Sequence, residues 1–422
     1  MAFASSTPVS HVSGVKIAVI GGGSTYTPEL VSGLTRLEVD EFVLQDVDSE
    51  RREVVGAMAA RMLTRQGYRG RLEITGDLDR AVDGCDFALI QIRVGGQQAR
   101  LHDETAPLAC GCIGQETTGA GGFAKAMQTV PVVLEIAERV RALAGDAWIV
   151  DFTNPVGIVT RALLDVGHRA LGLCNVAIVF QRRFAGWLGA TPGRVVVDQV
   201  GLNHLTWVRR VLLDGEDVLP ALLAEHGDEL ADGLELPRRL LDDLGAVPSY
   251  YLRYFYAHDE VLREQVGVVP RAQVVKEIEQ RLLGLFRDPS IDQRPDLLMQ
   301  RGGAYYSEAA LGLIGSLSSD DGAVHEVDLR NGEALSGLAP DDVVEVPARI
   351  ARNGATPLPQ SPLAPELLGL VQHVAAYERL TVRAALSRDP VDARKALLAH
   401  PLVGQVELVE GIVERMTEEA PR

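Results

Sequence analysis

Side chains able to do chemistry sit at the ends of apolar runs in this chain. Cys174 and Asn175 interrupt "ALGLCNVAIVF", residues 170–180, a stretch that otherwise reads as a buried strand. The chain has 4 cysteines in 422 residues, so one beside a polar amide stands out. His204 follows in "GLNHL", 201–205. A thiolate and an imidazole can share a divalent cation if the fold joins them. Taken singly, each also reads as packing, because a cysteine is a small buried hydrophobe. "PSYYLRYFY", 248–256, gathers Tyr250, Tyr251, Tyr254 and Tyr256. At helical spacing they form an aromatic core stripe. A tyrosine beside positive charge can instead serve as a base, since a nearby cation lowers its pKa. The pattern does not choose among the four.

A second group of residues suits a dinucleotide. "GGGSTYTPEL", 21–30, follows an apolar run, and Gly21, Gly23, Ser24 and Thr25 form its turn. Backbone N–H groups at such a turn, and at the helix that follows, can hold a pyrophosphate. Gly21 and Gly23 fill the first two places of the GxGxxG pattern, and Tyr26 occupies the third. Asp46 ends the next strand-like run, where a carboxylate accepts ribose hydroxyls. An acid rather than a base there favours NAD over NADP. The bland alternative is a glycine turn beside an unrelated surface acid. The glycine-rich stretch 92–122, "IRVGGQQARLHDETAPLACGCIGQETTGAGG", carries Arg93, Arg100 and Glu116. It reads as a loop that positions anions, or as a solvated surface loop.

These residues need a scaffold. Runs at 15–24 (apolar, ending in glycines), 41–48, 86–96, 146–155 and 170–175 read as strands, with helical spacing between them. Such alternation predicts a doubly wound parallel sheet. From 192 to 215 strand-like stretches follow each other directly, which predicts an antiparallel second part. Helical segments follow, including "ERLTVRAALS" and "ARKALLAHPLV", and "GATPLPQSPLAP", 354–365, reads as a proline-rich loop. The expected division is a dinucleotide-binding domain over 14–195 and a catalytic, substrate and oligomerisation domain over 196–420. A net charge of −17 argues against general binding of nucleic acid or anionic membranes. No apolar run approaches a membrane span of ~20 residues. "MAFASSTPVSHVSG" has no apolar core like a secretory signal and reads as a short lead-in. The cysteines form no CxxC pair, which fits a reducing cytoplasm.

Taken together and in order, "GGGSTYTPEL", "IRVGG", "GQETTGAGG", "FTNPVGIVT", "GLCN", "GLNHL", "YLRYFY" and "NGEALSGLAPDDVVEVP" resemble glycoside hydrolase family 4 over nearly the whole chain. The likeness is greatest to its 6-phospho-β-glucosidase branch. This family is an NAD-dependent exception among glycosidases. The resemblance implies an N-terminal Rossmann-like domain with a C-terminal α+β domain, as in lactate and malate dehydrogenases. It implies NAD and a divalent metal, usually Mn2+. It further implies C3 oxidation, C2 deprotonation, elimination, water addition and re-reduction. By the same resemblance Cys174 and His204 match metal ligands, and Tyr251 matches the base at C2. Asn154, Asn175, Arg100 and Arg271 match substrate-binding positions, the arginines on a 6-phosphate. Glu116 falls in a matching loop without an assigned role. The phospho-α-glucosidases of the family tend to carry Asp after the cysteine; Asn175 here favours β-linked substrates. Implied partners are a phosphorylated disaccharide or aryl glucoside and further copies of the chain, as a homodimer or homotetramer. The alternatives are a hydroxyacid dehydrogenase, an NAD-binding sensor without catalysis, or a family 4 enzyme for α-linked or unphosphorylated glycosides.

Overall fold

The computed structural model describes residues 14–34, 36–303 and 305–418. The expected lead-in, through residue 13, and the end of the expected second domain, from residue 419, lie outside them. The first half alternates strand and helix: β1 (Val15–Ile20), α1 (Thr27–Leu34), β2 (Val39–Gln45), α2 (Ser49–Gln66), β3 (Arg71–Thr75), α3 (Leu78–Val82) and β4 (Phe87–Ile90). It continues with α4 (Gly96–Ala109), α5 (Gly119–Leu143), β5 (Trp148–Asp151), α6 (Val156–Asp165), β6 (Ala170–Gly172) and α7 (Val176–Trp187). The six strands are parallel neighbours in the order β6-β5-β4-β1-β2-β3. This is the order of doubly wound dinucleotide-binding sheets.

The composition of β1 explains its place at the centre. Ile17 and Val19 pack into one core and Ala18 and Ile20 into the core on the opposite face. Both faces are covered by helices, so the strand is apolar throughout rather than alternating. β3 escaped the sequence reading because "RLEIT" lies at the sheet edge and is half-exposed; charge on an edge strand discourages further pairing.

The run "ALGLCNVAIVF" does not form one strand. Its strand ends at Gly172, and α7 starts at Val176. Val176, Ala177, Phe180 and Phe184 are buried, a spacing that is helical rather than alternating. Cys174 and Asn175 therefore occupy the turn between strand and helix, with Asn175 at the helix N-cap.

The second half extends the same sheet. β7 (Val195–Leu202) and β8 (Leu205–Leu213) form an antiparallel hairpin. The antiparallel strands Val324–Arg330 and Val343–Ala351 join it to β6, through Asp328 opposite Gly172 and Glu345 opposite Gly201. Among the described residues thirteen strands thus make one continuous sheet. The stretch expected as a proline-rich loop begins with a strand, Gly354–Pro357, paired to Val343–Ala351, and only its remainder is loop before the helix Pro365–Ser387. Among the described residues no helix is long and apolar enough to cross a membrane.

Candidate active site

A cleft of about 1120 Å³ opens where β1, β2 and β4 end; Gly21, Asp46 and Gln91 line it. β1 and β4 mark the point where strand order reverses, the usual ligand crevice of such sheets. The cleft exceeds the ~300–1,000 Å³ of ordinary small-molecule pockets. Gly21 holds φ +88°, and a Cβ there would lie 2.8 Å from the Gln91 carbonyl oxygen. A Cβ on Gly23 would lie 2.7 Å from Asp46 Oδ2, so only glycine lets this carboxylate close on the turn. The Gly23 N–H donates to Asp46 Oδ2 at 2.8 Å and the Asp48 N–H to Oδ1 at 2.9 Å. Each oxygen keeps a second lone pair for a ribose hydroxyl. Ser24 lines the cleft, whereas Gly23 and Thr25 do not. Thr25 is fully buried and its hydroxyl donates to Glu279 Oε1 at 3.3 Å, which anchors the turn.

Cys174, His204 and Tyr251 come together beyond the turn. The His204 ring stacks on the Tyr251 ring, with centroids 3.6 Å apart and planes 14° apart. Tyr251 packs in the same apolar cluster as Cys174. Tyr250 and Tyr251 line the cleft wall, with Cys174 and His204 buried behind it at 6% and 5% exposure. His204 sits in the hairpin tip between β7 and β8 at φ +62°. A left-handed residue is what a two-residue hairpin turn requires, and histidine is among the non-glycine residues that adopt it more readily. The tip is pinned by Glu345, which accepts from Asn203 Nδ2 at 3.0 Å and Gln199 Nε2 at 2.6 Å.

Burial pushes the Cys174 thiol well up, and Glu345 adds to it. His204 is pushed down to about 3, by burial and then by Lys125, so its imidazole is neutral. Burial also raises the Tyr251 phenol well above its usual value, with Tyr250 and Cys174 contributing. The residues fit a divalent cation. His204 Nδ1 and, on the cleft wall, Asn154 Oδ1 are buried without a hydrogen-bond partner; such orphaned atoms call for a ligand. Among the described residues no three His, Cys, Asp or Glu side chains form a complete metal cage. As two protein donors, Cys174 and His204 would leave further positions open to substrate oxygens.

A cationic wall faces this cluster. Glu116, in the loop between α4 and α5, is buried and ion-paired to Arg93, to Arg100 at 3.1 Å and to Lys125 at 2.6 Å. Its carboxyl is held well below the usual range by these cations, Arg93 foremost, against the opposing effect of burial. Arg100 Nε also pairs with Glu104 at 2.8 Å. Arg271 lines the same cleft and donates to the Gln300 and Arg301 carbonyls at 2.9 and 3.4 Å. Arg301, Arg51 and Glu279 form a second ion-paired group on the wall. Arg93, Arg100 and Lys125 face Glu116 and Glu104, with buried Asp103 beside them, so the surplus positive charge open to an anion is small and is increased by Arg271 on the same wall.

The sequence reading missed Lys125, Arg301 and Tyr306, all on the cleft wall. Lys125 had a legible signal, a lone ammonium inside the apolar helix run "GGFAKAM". Arg301 and Tyr306 had none, since only tertiary packing carries them to β1.

The fold and the glycine turn define a dehydrogenase-like α/β protein. A lactate dehydrogenase of Cryptosporidium parvum shares this fold, with a TM-score of 0.58 at 14% identity over 89% of this chain and 99% of its own. A narrower kinship is shown by the family models. The models of family 4 glycosyl hydrolases and of their C-terminal domain match residues 16–190 and 199–403. The chain belongs to glycosyl hydrolase family 4. A probable 6-phospho-β-glucosidase of Bacillus subtilis is 37% identical over 96% of both chains. The 6-phospho-β-glucosidase of Thermotoga maritima, solved with manganese, NAD+ and glucose 6-phosphate, superposes with a TM-score of 0.90 at 34% identity, covering 96% of this chain and 98% of its own.

Proposed function

We propose that this chain hydrolyses 6-phospho-β-glucosides with NAD+ and a divalent metal, through C3 oxidation, C2 deprotonation, elimination, water addition and re-reduction. The observation that carries the reading is the stack of His204 on Tyr251 beside Cys174, in the cleft that begins at the Gly21 turn. The activity named for the Bacillus and Thermotoga relatives, and the ligands of the Thermotoga structure, support it. Bound NAD+ supplies reversible hydride acceptance at C3, and a cation such as Mn2+, held by Cys174 and His204, supplies Lewis acidity at the sugar oxygens.

The chain's own residues bind, orient and move protons. The turn from Gly21 to Thr25 and Asp46 hold the dinucleotide, Thr25 from behind. Tyr251 takes the C2 proton, which a side-chain base reaches only when C3 is a carbonyl. Asn154 and Asn175 orient sugar hydroxyls from the cleft wall. Arg100 and Arg271 bind the 6-phosphate, and Glu116 fixes the Arg100 fork for it. Asn175 has no acidic proton for the leaving group, so the site suits β-glycosides whose aglycone leaves unaided or with water. The aglycone is a second sugar or an aryl group. Residues 14–195 form the dinucleotide-binding part and 196–420 the remainder. A cytoplasmic setting accords with four free cysteines, and a homodimer or homotetramer with exposed Val266, Val268 and Val269.

The reading is tested by hydrolysis of p-nitrophenyl β-glucoside 6-phosphate. Enzyme stripped of NAD+ should lose activity by roughly a hundredfold or more and regain it when NAD+ returns, without net accumulation of NADH. Unchanged activity without NAD+ would sink the redox mechanism, and stoichiometric NADH would indicate a dehydrogenase. Arg100→Ala should raise KM for this substrate roughly tenfold to a hundredfold, the size of a charged hydrogen bond. KM for the unphosphorylated glucoside should change far less; equal shifts would take the phosphate from Arg100.

A further inference from the structure

The Tyr250 side chain has no task in the mechanism above, yet its placement is unusual. Among the described residues it is an exposed aromatic side chain, at 44%, that lines the cleft rather than the outer surface. Its ring centroid is 4.2 Å from that of Tyr251, with the planes 30° apart. Tyr254 is farther, at 6.4 Å from Tyr251. An exposed tyrosine beside the base has a consequence for the substrate. C2, where Tyr251 acts, is bonded to C1, which carries the aglycone. The first ring of the aglycone therefore lies within about one sugar width of the Tyr251 hydroxyl. The glycine-turn end of the cleft takes the dinucleotide and the cationic wall takes the phosphate, so neither serves an apolar ring face.

We propose that Tyr250 is the aglycone platform, a specificity-determining residue whose exposed ring stacks on the planar face of an aryl group or the C–H face of a second sugar. The inference rests on the function proposed above. A tyrosine suits the task because it offers a large rigid face at little cost in conformational freedom. The Tyr250 hydroxyl also interacts with the Tyr251 hydroxyl, so the test must separate ring from hydroxyl.

The experiment uses the full chain with NAD+ and Mn2+, and two substrates, p-nitrophenyl and methyl β-glucoside 6-phosphate. Tyr250→Ala should lower kcat/KM for the aryl substrate roughly tenfold more than for the methyl one, chiefly through KM. Tyr250→Phe keeps the ring and should preserve the wild-type ratio between the two substrates, whatever the loss of the hydroxyl does to the rate on both. An equal loss on both substrates in Tyr250→Ala, or no loss on either, would overturn the platform. A shifted ratio in Tyr250→Phe would do the same, because selectivity would then reside in the hydroxyl. A wild-type enzyme inactive on both compounds would remove the functional reading itself, and the platform with it.

Discussion

Tyr251→Phe should lower kcat by about 10²–10⁴-fold, the usual worth of a positioned general base. It should also end the incorporation of solvent deuterium at C2 of the product. The substitution is conservative where the structure is concerned. Phenylalanine keeps the ring that stacks on His204 at 3.6 Å, so the apolar cluster around Cys174 stays filled. The atom removed is the one the mechanism uses. Loss of rate with retained NAD+ and Mn2+ binding therefore isolates proton transfer from folding and from ligand binding. The burial-raised phenol sharpens the expectation, because such a hydroxyl starts protonated and acts as a base only in the assembled complex. If exchange at C2 persists near the wild-type rate, the base is elsewhere on the wall.

Much of the scaffold was legible because local chemistry and fold agree in the first half. The apolar run of β1, the glycines after it and the acid after β2 each report a local constraint. Gly21 needs a positive φ and Gly23 a missing Cβ. β3 was hidden because an edge strand buries little and so carries little apolar signal. The turn at Cys174 was misread as strand because a short apolar run does not reveal its period; only the burial of Phe180 and Phe184 shows the helix. The stretch 92–122 read as one loop, but Gly96–Ala109 within it is the helix α4, which carries Arg100, and the mutual pairing of Arg93, Arg100 and Glu116 was not legible. Lys125 completes the Glu116 group from the second turn of α5, a relation that exists only after the helix docks. His204 could be named from its residue type, whereas its left-handed backbone and its stack on Tyr251 are products of the hairpin and the continuous sheet.

Cys174→Ser should abolish both activity and the response to Mn2+. The two side chains are nearly isosteric, and the position is buried at 6% exposure, so packing changes little. What changes is the donor, since a serine hydroxyl does not ionise as a thiol can, and His204 would be left as a lone ligand. Binding that favours the folded state stabilises it by roughly 2.7 kcal/mol when the metal is at a hundred times its Kd. Wild-type Tm should therefore rise on adding Mn2+ and fall back with a chelator, while the variant's Tm stays flat. This readout does not depend on turnover, so it separates a lost cation from a damaged reaction. His204→Asn gives an independent arm. Asparagine tolerates the left-handed φ of +62° better than most residues, so the hairpin tip should persist while the imidazole is lost. Both variants should match the metal-free wild type in rate and in thermal response. A fully active Cys174→Ser enzyme that still responds to Mn2+ would return Cys174 to the core, and the orphaned Nδ1 of His204 would then need another partner.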